Sequence, residues 1–304
     1  MKRSVPIVLP LSPTAALPML AAALLIAALA LVAVPAFAGD LCDENDTSNT
    51  TFGNGKGSYA RDVQEMHEPA PRGTWHIDGG DNGSVQISDW DKEEVLICAR
   101  VTAWARDKER AERLLRSIHV ENSGGRLHAE GPGQTQSARW AVSYRIRAPR
   151  SMDLDVQTVN GPVSVEGIRG RMSLHTENGP LELIGAGGDI EGRTTNGPLT
   201  VTLTGSRWQG RGLDVETANG PVRLRIPNGY SADLTTGTEN GPMAGAYIGA
   251  SGGRRHHHVN VVLGSGGAPI RVVTTNGPIV VNSGIKGHEG ARGHDDADDE
   301  DDDE

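Results

Sequence analysis

The residues of this chain that could do chemistry fall into a few small groups. His256, His257 and His258 follow Arg254 and Arg255 and invite a transition-metal reading. Strand alternation points His256 and His258 one way and His257 the other, so at most two would share a site. No third ligand is close in sequence, so a solvated loop is favoured and no metal is expected. Asp155, Asp214 and Asp233 recur on strand-like segments. Polysaccharide lyases and glycosidases need such carboxylates, or Arg and Lys groups, converging in a groove beside aromatic platforms. Here the alternation turns them outward, and Ser173, Glu191 and Arg271 stand at equivalent places. Arg207, Trp208, Arg211 and Tyr230 could form an aromatic–cationic patch for a sugar, a lipid head group or a protein loop. The same two rings could instead fold back and cover the side of the fold. No Ser-His-Asp signature, phosphate loop or zinc pattern is present. No catalytic residue and no cofactor are expected.

Two cysteines, Cys42 and Cys98, remain. In an oxidising compartment they could pair, while Cys98, inside the apolar run Val95 to Val101, could equally be a buried thiol. The N-terminus points to such a compartment. Lys2 and Arg3 precede an uncharged stretch whose densest apolar part is Met19 to Val34, ending in Ala36-Phe37-Ala38. These are the parts of a secretory signal peptide, with cleavage expected after Ala38. An uncleaved anchor is the alternative, since the apolar part approaches the roughly 20 residues of a membrane span. After cleavage no integral membrane segment is expected, and the protein is placed in the periplasm, at the cell surface or outside the cell.

Charge excludes a nucleic-acid partner. The chain carries a formal net charge of -10, which becomes -12 when Lys2 and Arg3 leave with residues 1–38. Nine of the negatives lie in Asp295–Glu304, so the body is close to neutral at -3 and has no basic footprint.

The elements that must position these residues are short strands. Gly is frequent, at 40 residues of 304, and aromatics make up only 4%, as suits many strands joined by tight corners. Residues 39–72 show almost no apolar period and read as a flexible N-terminal arm. Residues 73–150 read as a β-rich section with strands near Trp75–Ile77, Val85–Ile87, Glu94–Trp104, Arg126–Ala129 and Arg139–Ala148. One helix is expected over Asp107–Arg116, capped by Asp107 and striped by Ala111, Leu114, Leu115 and Ile118. Residues 285–304 read as a disordered acidic tail.

Between them, residues 151–284 repeat. Asn-Gly-Pro begins at Asn160, Asn178, Asn196, Asn219, Asn240 and Asn276, at intervals of 18, 18, 23, 21 and 36 residues. Thr stands two residues before every Asn, and positions -6 and +3 are always apolar. Positions -6, -4 and -2 share one face of a strand, and +3 and +5 one face of the next. Asn-Gly-Pro between them is a corner, in which Asn and Gly tolerate positive φ and Pro needs no amide partner. Such a unit buries its thin apolar face only by stacking on its copies, about 4.8 Å apart, with Thr and Asn in ladders. The 36-residue interval hides a degraded unit, with His258 at the corner and Val261 and Leu263 at the apolar places. The 23- and 21-residue intervals carry insertions, within Gly205–Gly212 and around Pro227–Tyr230, that should emerge near one another.

The NGP repeats, the β-rich section before them and the signal peptide resemble the putative adhesin family of bacterial β-strand-repeat domains of unknown function, of the toast-rack group. The resemblance covers about residues 73–284. It implies an all-β fold, a single-stranded parallel β-helix or solenoid with an N-terminal β-rich cap containing one short helix. It also implies an extracytoplasmic location and no established catalytic residues, with some relatives linked to envelope-stress sensing. Many members carry Asn-Gly-Asp-like corners, whereas all six here have Pro. The function expected is that of a non-enzymatic cell-envelope or surface scaffold, an adhesin or stress-signalling component, whose partner is an envelope protein or glycan. The alternative is a secreted carbohydrate-active lyase or glycosidase.

Overall fold

The computed structural model describes residues 41–42, 57–248 and 258–284. The expected leader, His256, His257 and the acidic tail lie outside the described residues. Among the described residues the chain is all-β with one helix. Its first part comprises β1 (Ser58–Pro69), β2 (Trp75–Asp78), β3 (Val85–Trp90), β4 (Glu94–Ala105), α1 (Lys108–Leu115), β5 (His119–Ser123), β6 (Arg126–Glu130) and β7 (Ala138–Pro149). Paired strands follow on either side of each corner: β8 (Leu154–Thr158) and β9 (Val163–Glu166), β10 (Arg169–Thr176) and β11 (Leu181–Ile184), β12 (Gly187–Thr194) and β13 (Leu199–Thr202). Then come β14 (Gly212–Asn219) and β15 (Val222–Ile226), β16 (Ala232–Asn240) and β17 (Met243–Gly245), β18 (His258–Leu263), and finally β19 (Pro269–Asn276) and β20 (Ile279–Ser283).

These strands make two ten-stranded sheets. One runs β1-β4-β7-β3-β9-β11-β13-β15-β20-β17, the other β18-β16-β19-β14-β12-β10-β8-β2-β6-β5. Each corner therefore passes the chain from one sheet to the other. Strands before the corners pair in parallel in the register of the template, Leu154 with Met172, Met172 with Ile190 and Ile190 with Leu213. The inward residues of both sheets, among them Leu154, Val156, Val163, Val165, Leu181, Leu199, Val215 and Leu224, are buried in one contiguous core. The helix is capped by Asp107, whose carboxylate accepts from the Arg110 amide at 2.9 Å, and its Ala111 is fully buried.

Three features differ from the sequence reading. Residues 58–69, expected in a flexible arm, form the edge strand β1, paired antiparallel with β4 from Ser58 opposite Ala105 to Pro69 opposite Glu94. Backbone pairing along twelve residues makes this strand, and a polar sequence suits a sheet edge. The second difference is His258, which holds no corner. It opens β18, which lies antiparallel on β16 with Leu263 opposite Ala232. Third, the units do not stack in sequence order. β19 stands between β14 and β16, and β20 between β15 and β17, so the last unit is inserted between the two before it. With β18 on the outer edge of β16, the place left for β19 beside β16 is the inner one. There Arg271 reaches Asp214 and, at 3.0 Å, Glu216 of β14.

Candidate interaction face

The repeat corners build the frame that carries any site. Each template Thr is buried and donates its hydroxyl to the carbonyl of the glycine in the neighbouring corner: Thr176 to Gly161 at 2.9 Å, Thr194 to Gly179 at 2.8 Å, Thr217 to Gly197 at 2.9 Å. Thr274 reaches Gly220 at 3.0 Å and Thr238 reaches Gly277 at 2.9 Å, following the spatial order. The asparagine amides form a second, one-directional ladder: Asn178 to Asn160, Asn196 to Asn178, Asn219 to Asn196, Asn276 to Asn219 and Asn240 to Asn276, at 2.8 to 3.0 Å. The corner glycines are not in the positive-φ region, contrary to the reason expected for them. They are required by close approach. A Cβ on Gly161, Gly179, Gly197, Gly220, Gly241 or Gly277 would stand closer than 3.0 Å to the carbonyl of the next corner's glycine.

A further corner lies upstream of the repeat. Gly161 stacks on Gly83, and Thr158 donates to the Gly83 carbonyl at 2.8 Å. The signal was present in the sequence: Asn82-Gly83 is followed by Val85 and Ile87 at +3 and +5. It was hidden because Ser84 replaces the proline and the strand before it is offset by one residue. In this way β2 and β3 continue the stack beside β8 and β9.

With the inner faces occupied by packing, chemistry is left to the outward rows. On the sheet containing β2, β8, β10, β12, β14 and β19, one row runs His76, Asp155, Ser173, Glu191, Asp214, Arg271. The next outward row runs Asp78, Gln157, His175, Arg193, Glu216. Asp233 falls outside the first row, because Thr235 pairs with Arg271 while Asp233 pairs with Pro269. His76 and Asp155 share a hydrogen bond at 2.9 Å, and ion pairs join Arg126 with Asp78 at 3.2 Å and Arg193 with Glu191 at 3.1 Å and with Glu216 at 3.6 Å. On the other sheet, burial raises the Glu182 carboxyl above the ordinary glutamate range; Arg225 opposes this rise and Glu166 adds to it.

The expected patch of Arg207, Trp208, Arg211 and Tyr230 divides between surface and core. The two insertions do meet, with Arg207 bridging to Ser231 and the Ser231 amide donating to Ser206 at 2.8 Å. Both rings turn inward, however. Trp208 and Tyr230 are 7% and 4% exposed and belong to the core, and the Trp208 indole donates to the Gly188 carbonyl at 3.0 Å. In an interior poor in aromatics, burying these large rings is more favourable than displaying them. Burial also pushes the Tyr230 phenol up. Arg207 and Arg211 stay exposed, Arg211 paired with Asp189. Cys42 and Cys98 are joined in a disulfide on β4.

Comparison with known proteins finds no matching family model and no matching curated protein. Solved structures do match. A structure described as a putative cell adhesion protein from Clostridium sporogenes shares 11% identity, covering 74% of this chain and 100% of that one, at a TM-score of 0.38. A putative adhesin from Bacteroides fragilis shares 8%, covering 73% and 97%, at 0.35. A putative adhesin from Parabacteroides merdae shares 11%, covering 75% and 97%, at 0.29.

Proposed function

We propose that this chain is a non-enzymatic, exported envelope or surface scaffold. In this reading its two sheets are the walls of a single-stranded parallel β-solenoid, residues 1–38 are the export signal, and residues 285–304 are an acidic extension. The observation that carries it is the pair of ladders. Template Thr and Asn residues from every Asn-Gly-Pro unit are engaged with neighbouring units, so the repeat serves rigidity. Outside it, charged side chains line the outward rows of the sheet that contains β8, β10, β12 and β14, joined by ion pairs such as Arg193 with Glu191 and Arg271 with Asp214. A rigid face of mixed charge suits recognition of an envelope protein or glycan, in adhesion or in envelope-stress signalling.

The test is photo-crosslinking in cells from outward positions Ser173 and Thr200, followed by mass spectrometry of what is captured. A single envelope protein or glycan captured from one of these faces supports the reading. Turnover of an envelope or plant polysaccharide that is lost in Asp155→Asn or Asp214→Asn would replace it with a carbohydrate-active enzyme.

A further inference from the structure

The interior of the stack comes to the surface at one end. β18 is the last strand of its sheet, and no described strand lies along its outer edge. Val259 and Val261, on its inner side opposite Thr236 and Leu234, are only half-buried, whereas Leu234 itself is 1% exposed. Met243 on β17 is half-buried as well. Val262 is 66% exposed, the most exposed large hydrophobic among the described residues. Tyr247, which follows β17, is 42% exposed and is held at φ 65, where no other described non-glycine residue lies.

Sheet edges are normally blocked against pairing by charge or proline. The edge strand β1 carries Arg61, Asp62, Glu65, Glu68 and Pro69, and β5 at the far end of the other sheet carries Glu121. β18, His-Val-Asn-Val-Val-Leu, carries no Lys, Arg, Asp, Glu or Pro. The stretches of sequence nearest to it supply little to cover it. Residues 249–257 and 285–304 contain only Ala250, Ile285, Ala291 and Ala297 as apolar side chains. The stretch 43–56 leaves from Cys42, bonded to β4, and rejoins at Gly57 before β1, both at the opposite end of their sheet.

We propose that this end is the interface with a second copy of the chain, β18 pairing antiparallel with β18 across a two-fold axis. A two-fold contact brings the same patch against itself, and antiparallel pairing is the arrangement it gives to a strand at the interface. It satisfies the open backbone edges, closes the half-buried valines into one continuous interior, and joins two ten-stranded sheets end to end.

The proposal goes beyond the scaffold reading, which stands or falls independently. Its test is sedimentation and small-angle scattering of the secreted mature chain from sub-micromolar to tens of micromolar concentration. The expected result is a dimer about twice as long as the monomer, whose ten strands span about 45 Å at their usual spacing. Val262→Lys and Val262→Glu change an exposed side chain and place like charges near the axis. Each should weaken dimerisation about tenfold or more, with the monomer's unfolding temperature, measured at concentrations where both chains are monomeric, unchanged. A native chain that stays monomeric, a dimer no longer than the monomer, or a dimer indifferent to both variants would overturn it. So would a monomer that instead takes up a strand from another protein.

Discussion

Asn276 donates its side-chain amide to Asn219 at 2.9 Å, although 57 residues separate them and Asn240 lies between them in sequence. Asn240 donates in turn to Asn276. The ladder follows space rather than chain order, so the template acts as an adhesive between any two units that carry it. Its energetics can be tested one contact at a time.

The corner glycine should tolerate no side chain. Gly197→Ala would drive a methyl into the Gly179 carbonyl and should cost more than about 3 kcal/mol in denaturant unfolding. Gly205→Ala meets nothing within 4 Å and strains only its φ of +75, so about 1–2 kcal/mol is expected. Equal costs at the two sites would contradict the close-approach account.

The buried threonine acts through its hydroxyl. Thr194→Val keeps the shape and removes the donor to the Gly179 carbonyl, so urea titration should show a loss of about 1–2 kcal/mol. Thr200→Val, on the outward face of β13, should lie within about 0.5 kcal/mol of the native chain.

Trp208 should behave as core. Trp208→Ala should lose about 3–5 kcal/mol. Trp208→Phe, which keeps a ring and loses only the bond to Gly188, should lose far less. Capture of a partner by the folded Phe variant should be unchanged; loss of capture with intact folding would restore the ring to a binding role.

Glu182 ties stability to pH. A carboxyl raised in the folded state binds its proton more tightly there than when unfolded, so stability falls as pH rises through that window. Glu182→Gln should therefore unfold at a slightly higher temperature at neutral pH, by about half a kcal/mol or less at this half-exposed site. The gain should vanish below the ordinary glutamate range. A gain that persists in acid would show a cause other than titration.

Much of this was legible because the strand period is strict. Thr at -2 and apolar residues at -6 and +3 of each Asn state which side chains face inward, and one face must be buried. The helix was legible from Asp107 and the spacing of Ala111 and Leu114. β1 was not, since an edge strand such as Ser58–Pro69 is held by its neighbour's backbone and needs no apolar period. Nor was the fate of Trp208 and Tyr230, because an insertion's sequence does not say which way its rings turn.

By itself, then, the sequence determined the unit: which residues line the interior, where the chain turns, and that glycine must stand at each corner. The tertiary structure decided why glycine is needed there, since a carbonyl of the next unit occupies the space of its Cβ. It also decided the order of units. Every copy offers the same Thr, Asn and Gly to its neighbours, so the template cannot distinguish one neighbour from another. That choice was made by contacts outside the template, with β18 on the outer edge of β16 and Arg271 set against Asp214 and Glu216.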